Sequence, residues 1–218
     1  MSAIEGVLFD LDGTLVDSAP VIGEILNEMR AESDLRPLSL DHFRAWISLG
    51  AGELIARAMG GRPDGQAMLE EFRRRYWKRP TPDGAVVSGA AWAIGVLASR
   101  GIKLGLCSNK PEALCRKILA EIHLSDFFDV IVGGDSTPQP KPSPEPVAFA
   151  AQEMAVGLEA VVLVGDSTID QRASNAAGIP FVFYSGGYDD GVDTSSARIV
   201  VSDLRQIVDV VIPAWEIS

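Results

Sequence analysis

The sequence predicts a three-layer α/β fold built on a parallel sheet and carrying a small helical insertion, on three observations. Short apolar runs recur along the chain, each the length of one strand buried on both faces. Helical patterns alternate with these runs, the arrangement that produces right-handed crossovers between parallel strands. One stretch, 17–82, breaks the alternation and holds helical patterns alone.

The first apolar run, 6–9, ends in Asp10. Four amphipathic patterns follow, at 21–32, 40–46, 52–59 and 66–78, with no convincing strand among them. Breakers at Ser18-Ala-Pro20 and at Pro80-Thr-Pro82-Asp-Gly84 bound this insertion and suit a two-strand hinge. The expected organisation is therefore a discontinuous core, 1–16 and 83–218, and a helical cap, 17–82. Beyond it the rhythm resumes. Strands are expected at 103–107, 130–132, 161–164, 180–184 and 199–201. Helices are expected at 90–99, 111–120, 144–154, 169–177 and 204–211, the last behind a Ser202/Asp203 cap. In sheets of this kind ligands bind beyond the carboxyl ends of the strands.

Composition excludes several classes. With 47% apolar and 22% charged residues in 218, the chain reads as a globular protein and not as a disordered or collagenous one. No apolar run reaches the ~18 residues of a membrane span. The opening MSAIEGVLFDLDG lacks the basic start of a secretory signal, so a cytoplasmic location is expected. The net charge is −11, and 17–82 holds ten acids and ten bases, so the whole deficit lies in the α/β part. A partner such as nucleic acid, which demands basic surface, is not expected. Cys107 and Cys115 read as buried free thiols. His42 and His123 stand alone, which gives no zinc site. Arg73-Arg-Arg75 reads as a solvated helix face and Lys110 as a solvent-directed side chain. Trp46, Trp77 and Trp215 are candidates for a subunit contact in a chain expected to be a monomer or homodimer.

Four polar clusters stand at or just after predicted strand tips. In Phe9-Asp-Leu-Asp-Gly-Thr-Leu-Val-Asp17, Asp10 and Asp12 face the same way if the strand geometry persists. Two such charges ~4 Å apart repel by ~1 kcal/mol in water and several-fold more where water is scarce. A divalent cation would relieve that repulsion. Gly13 permits the turn that brings the Thr14 hydroxyl to the same point. In Leu106-Cys-Ser-Asn-Lys110, Ser108 and Asn109 sit where a helix begins, a place that serves either as an anion site or as an ordinary helix cap. Lys141 is held in the proline-rich Pro140-Lys-Pro-Ser-Pro-Glu-Pro146, and a rigid ammonium suits a transferring phosphoryl group. Val161-Val-Leu-Val-Gly-Asp-Ser-Thr-Ile-Asp170 supplies Asp166 as a metal ligand. Asp170 is a second ligand, a partner to metal-bound water, or a buttress for Lys141.

In these residues and their order the chain resembles the haloacid dehalogenase-like superfamily, closest to its phosphoglycolate phosphatase-like branch. Asp10-Leu-Asp-Gly-Thr-Leu15 matches the first motif, Ser108-Asn109 the second, Lys141-Pro142 the third, and Gly165-Asp166 with Asp170 the fourth. The resemblance implies a Rossmann-like core with a mobile helical cap, a Mg2+ cofactor and an aspartyl-phosphate intermediate on Asp10. It implies Asp12 as general acid and base, with Thr14, Ser108, Asn109 and Lys141 on the phosphoryl oxygens. The metal would be held by Asp10, Asp12 through its backbone carbonyl, Asp166 and Asp170. The implied substrate is a small phosphorylated metabolite resembling phosphoglycolate.

Asp at position 12 favours ester hydrolysis over carbon–halide chemistry, and no histidine stands in Ser18-Ala-Pro-Val-Ile22, where mutase relatives carry one. Alternatives within the superfamily are a pyrophosphatase, a nucleotidase and a sugar-phosphate phosphatase or mutase. Outside enzymes the alternatives are an inactive binding protein of the same fold and a phosphorylated receiver module. In the cap, Gly50 and Gly52 are candidates for backbone contact with substrate, and Arg44 and Arg57 for a substrate carboxylate.

Overall fold

Four apolar residues in succession cannot all hide on one face of a strand, so β1 (Gly6–Phe9) must be covered on both. In the computed structural model, which describes residues 3–61, 65–195, 197 and 199–212, all four are buried. Five further strands join it: β2 (Lys103–Cys107), β3 (Val130–Val132), β4 (Val161–Gly165), β5 (Phe181–Tyr184) and β6 (Ile199–Val201). Their order is β3-β2-β1-β4-β5-β6, and every pairing is parallel.

Alternation along β1 sends Val7 and Phe9 to one face and Leu8 to the other, and two separate apolar clusters form there. The first includes α5 (Ala90–Ser99), α6 (Glu112–Glu121) and α9 (Gln206–Val211); the second includes α7 (Glu145–Glu153) and α8 (Thr168–Ala177). These are the three expected layers. The chain builds outward from β1 through β2 to β3, then crosses back to β4 on the other side of β1. The order therefore reverses between β1 and β4, the position where open α/β sheets leave a crevice for ligands.

The insertion holds α1 (Ala19–Glu32), α2 (Leu40–Ile47), α3 (Ala51–Ala58) and α4 (Gly65–Lys78), packed on one another around Phe43, Leu54, Ile55 and Phe72. Two strands of chain join it to the sheet: Val16 pairs antiparallel with Val86, and the Asp17 N–H donates to the Ala85 carbonyl at 2.8 Å. α1 begins two residues earlier than the periodicity suggests, because Pro20 occupies its first turn, where a missing N–H costs nothing. α9 is shorter than expected, and Ser202 and Asp203 do not cap it. Their N–H groups donate to the Gln206 side chain, while the Asp203 carboxylate accepts from the Arg205 N–H, so a turn forms there and the helix starts at Gln206.

Among the described residues no helix is long and apolar enough to cross a membrane. Both cysteines are free and buried, as expected. Of the tryptophans named above, Trp77 is exposed, Trp46 is partly buried against the core, and Trp215 lies outside the described residues.

Candidate active site

The register of the sheet sets the site. Phe9 stands level with Val164, so Asp10 leaves β1 beside the end of β4, and its N–H donates to the Val164 carbonyl at 2.9 Å. Asp166 leaves β4 one residue after its end. Asp170 sits in the first turn of α8, turned back by a capping box. Its Oδ2 accepts from the Ser167 N–H at 3.2 Å and from the Ser167 hydroxyl at 2.5 Å, while its own N–H donates to that hydroxyl at 3.3 Å. One oxygen from each of Asp10, Asp166 and Asp170 comes within 4.8 Å of the others, and all three residues are buried.

A single ammonium faces this triad. Lys141 Nζ donates to Asp10 Oδ1 at 2.8 Å and to Asp170 Oδ1 at 2.5 Å. Burial opposes the lysine's charge, but Asp10 and Asp170 together raise its pKa well above the usual value. Burial pushes Asp10 up to about 7, against the attraction of Lys141 and with the repulsion of Asp170 and Asp12. Asp166 is held well above the usual carboxylate range by burial first and then by Asp10 and Asp170. Three carboxylates against one cation leave a buried excess of negative charge, and a hard divalent cation among oxygen donors relieves it. The donor set therefore fits such an ion.

Close approach dictates the glycine of the first motif. Gly13 has φ of +88°, and a Cβ there would fall 2.1 Å from Asp166 Oδ2. Next to it Thr14 is fully buried and donates its hydroxyl to Asp166 Oδ1 at 3.1 Å. Ser108 is buried on the cavity wall, its oxygen accepting from the Lys110 N–H at 3.3 Å. Asn109 donates its amide to the Lys141 carbonyl at 2.9 Å and to the Ser48 carbonyl at 3.4 Å, so its side chain braces the lysine loop against the insertion.

Asp12 is turned away from the triad. Its carboxylate accepts a short hydrogen bond from the Ser18 hydroxyl and lies 3.0 Å from Lys110 Nζ. Lys110 thus departs from the solvent-directed orientation expected of it. It is buried, with its ammonium 4.5 Å from the centre of the Tyr76 ring on α4. Burial opposes its charge too, but Asp12 overrides that and raises its pKa.

A cavity opens between these residues and the insertion. Gly50 lines it and Gly52 does not; Arg44 and Arg57 do not line it either. Arg57 pairs with Glu53 at 2.7 Å, and Arg44 lies 3.7 Å from Asp17. Arg73 and Arg74 are exposed and Arg75 is half-buried, as a solvated helix face requires, and Arg73 in addition lines the cavity. Two loop residues with no signal in the sequence also hold the site. The Tyr188 N–H donates to Asp166 Oδ2 at 2.6 Å and its hydroxyl to Asp17 at 2.8 Å. Asp190 accepts from the Thr168 N–H at 2.6 Å and from the Ser48 hydroxyl at 3.3 Å.

Fold and site together define an α/β protein on a parallel sheet with its acids gathered at the sheet crevice. A family model described as haloacid dehalogenase-like hydrolase matches residues 7–184, and the chain belongs to that family. It is 38% identical over 216 residues to the phosphoglycolate phosphatase of Rhodospirillum rubrum, covering 94% of this chain and 90% of that one. It is 42% identical over 189 residues to the phosphoglycolate phosphatase of Cereibacter sphaeroides strain ATCC 17025, covering 84% and 86%. The crystal structure of a predicted phosphoglycolate phosphatase from Haemophilus somnus shares the fold, with a TM-score of 0.89 at 24% identity over 96% of this chain and 99% of that one. Within its family the chain is an enzyme of the phosphatase class.

Proposed function

We propose that this protein is a Mg2+-dependent phosphatase that hydrolyses a small phosphorylated metabolite, phosphoglycolate or a close analogue, through an aspartyl phosphate on Asp10. The observation that carries the reading is the buried triad of Asp10, Asp166 and Asp170 with Lys141 at the β1/β4 crevice. The names of the relatives support the substrate class.

Asp10 Oδ attacks phosphorus as the ester P–O bond breaks, and Asp12 gives its proton to the departing alkoxide. Water then attacks the phosphorus of the acyl phosphate and gives a proton to Asp12; inorganic phosphate leaves and Asp10 is restored. Asp12 reaches this task by leaving Ser18 and Lys110. Lys141 neutralises charge on the phosphoryl oxygens, with Ser108, Thr14 and the Asn109 backbone beside it. The side chains of Asp10, Asp166 and Asp170 and the backbone carbonyl of Asp12 are the groups to hold Mg2+. When bound, the ion supplies positive charge that lets a carboxylate approach an anionic phosphoryl group. Residues 17–82 act as a cap over the cavity, excluding water and choosing among esters.

The test is hydrolysis of 2-phosphoglycolate by the purified protein. Activity is expected with Mg2+, lost to a chelator and restored by the ion, and abolished in Asp10→Asn with the fold intact. Rapid quenching followed by mass spectrometry is expected to find the phosphoryl group on the Asp10 peptide. A label on another side chain, or parental turnover in Asp10→Asn, overturns the reading.

A further inference from the structure

Three cations line the cavity, and two are committed. Lys141 is shared between Asp10 and Asp170, and Lys110 is held by Asp12. The third is Arg73 on α4, which among the described residues has no carboxylate within ion-pair distance. Three of its basic neighbours do, while Lys78, which does not line the cavity, does not. Arg74 pairs with Glu71 at 2.6 Å, Arg75 with Glu71 and Glu32 at 2.6 Å each, and Arg79 with Glu28.

The wall around Arg73 explains what such a cation can select. Phe72 stacks on Tyr76 at 5.8 Å between ring centres, and Tyr76 covers Lys110. Arg73 is three residues before Tyr76, so both project from the same side of the helix. Of the insertion's other contributions to the cavity, Ile22, Ile47 and Leu54 are apolar, and the hydroxyl of Ser48 is already given to Asp190. A ligand lying between the triad and the insertion therefore meets a largely apolar wall whose one cation without a carboxylate partner, among the described residues, is the Arg73 guanidinium. A carboxylate brings one charge and two coplanar oxygens, which a single guanidinium matches in charge and in shape. A second phosphate dianion would leave a charge uncovered, because Lys110 and Lys141 already have partners.

We propose that Arg73 receives the carboxylate of the substrate and makes the site selective for phosphorylated carboxylic acids over phosphate esters of neutral alcohols. This rests on the phosphatase reading above and names the residue that sets its selectivity.

The test compares two esters of nearly equal size, 2-phosphoglycolate and ethyl phosphate, which differ in whether the carboxylate is present. The readout is the ratio of their kcat/KM values in the parent protein and in Arg73→Ala, Arg73→Gln and Arg73→Lys. The parent is expected to prefer 2-phosphoglycolate. Alanine and glutamine are expected to lower the ratio at least about tenfold, mainly through KM for 2-phosphoglycolate, the scale of one lost charge-assisted hydrogen-bonded pair. Lysine, which keeps the charge, retains most of the preference. A parent without preference, a ratio unmoved by substitution, or a lysine variant no better than alanine overturns the assignment while leaving the phosphatase reading standing. A parent that hydrolyses neither ester sinks both.

Discussion

Gly13 shows how much a single atom decides at the residue scale. Its φ of +88° penalises any side chain, and a Cβ would meet Asp166 Oδ2 at 2.1 Å, well inside contact distance. Gly13→Ala is therefore expected to destabilise the protein by about 1–3 kcal/mol in chemical denaturation. By displacing a carboxylate of the triad it is also expected to weaken the apparent Mg2+ affinity at least about tenfold in a titration of activity. Unchanged metal affinity would mean that Asp166 is not among the ligands. The identity of this glycine, and of Asp10, Lys141, Asp166 and Asp170, was legible in the sequence because each falls at a strand tip within a short motif. The fate of Lys110 was not. A lysine after Ser-Asn looks solvent-directed until the fold shows Asp12 at 3.0 Å and the Tyr76 ring above it, contacts made across 98 and 34 residues of chain.

Elements were legible where their signal is local and obscure where it is not. Each strand was found within a residue at either end, because a run buried on both faces is continuous in the sequence. The start of α9 was missed because Gln206, not Ser202 or Asp203, closes the preceding turn. In α4 the apolar pattern marks Phe72 and Tyr76 as inward, but it cannot say that Arg73, between them, borders a cavity while Arg74 and Arg75 turn to Glu71. Tyr188 and Asp190 lie in a loop, which has no periodicity to read. α8 is the element in which stability and chemistry share atoms. Ser167 closes its N-terminus and in the same contacts aims Asp170 at Lys141. Ser167→Ala is expected to cost about 0.5–2 kcal/mol of stability, the value of a lost N-cap, and to lower kcat on 2-phosphoglycolate as well. Denaturation and steady-state kinetics on the same preparation check both. A stability loss with kcat intact would separate the cap from the site.

Charge over the whole molecule is divided as sharply as its architecture. The insertion is neutral in sum while the α/β part carries the −11, and at the centre of that part are three buried carboxylates facing one lysine. Burial raises Asp10 to about 7 and Asp166 further above its ordinary value, so over much of the range between pH 4 and 7 the folded, metal-free protein holds protons that the unfolded chain has released. The contribution of these two groups to stability is therefore present at low pH and declines as pH rises through the folded values. A bound cation must displace those protons, and each proton displaced adds about 1.4 kcal/mol per pH unit to the pH dependence of binding. The lowered carboxylates elsewhere, such as Glu71 beside Arg74 and Arg75, run the opposite way, but they are common to both metal states and cancel in the difference. The rise in Tm caused by saturating Mg2+ over chelator is thus expected to be larger at pH 8 than at pH 6. In Asp166→Asn that pH-dependent increment is expected to shrink, since one of the displaced protons is gone. Calorimetry at the two pH values, with and without the ion, measures it. A metal-induced shift that is the same at both would show that the cation binds away from the triad, and the account of why these acids are buried together would then fail.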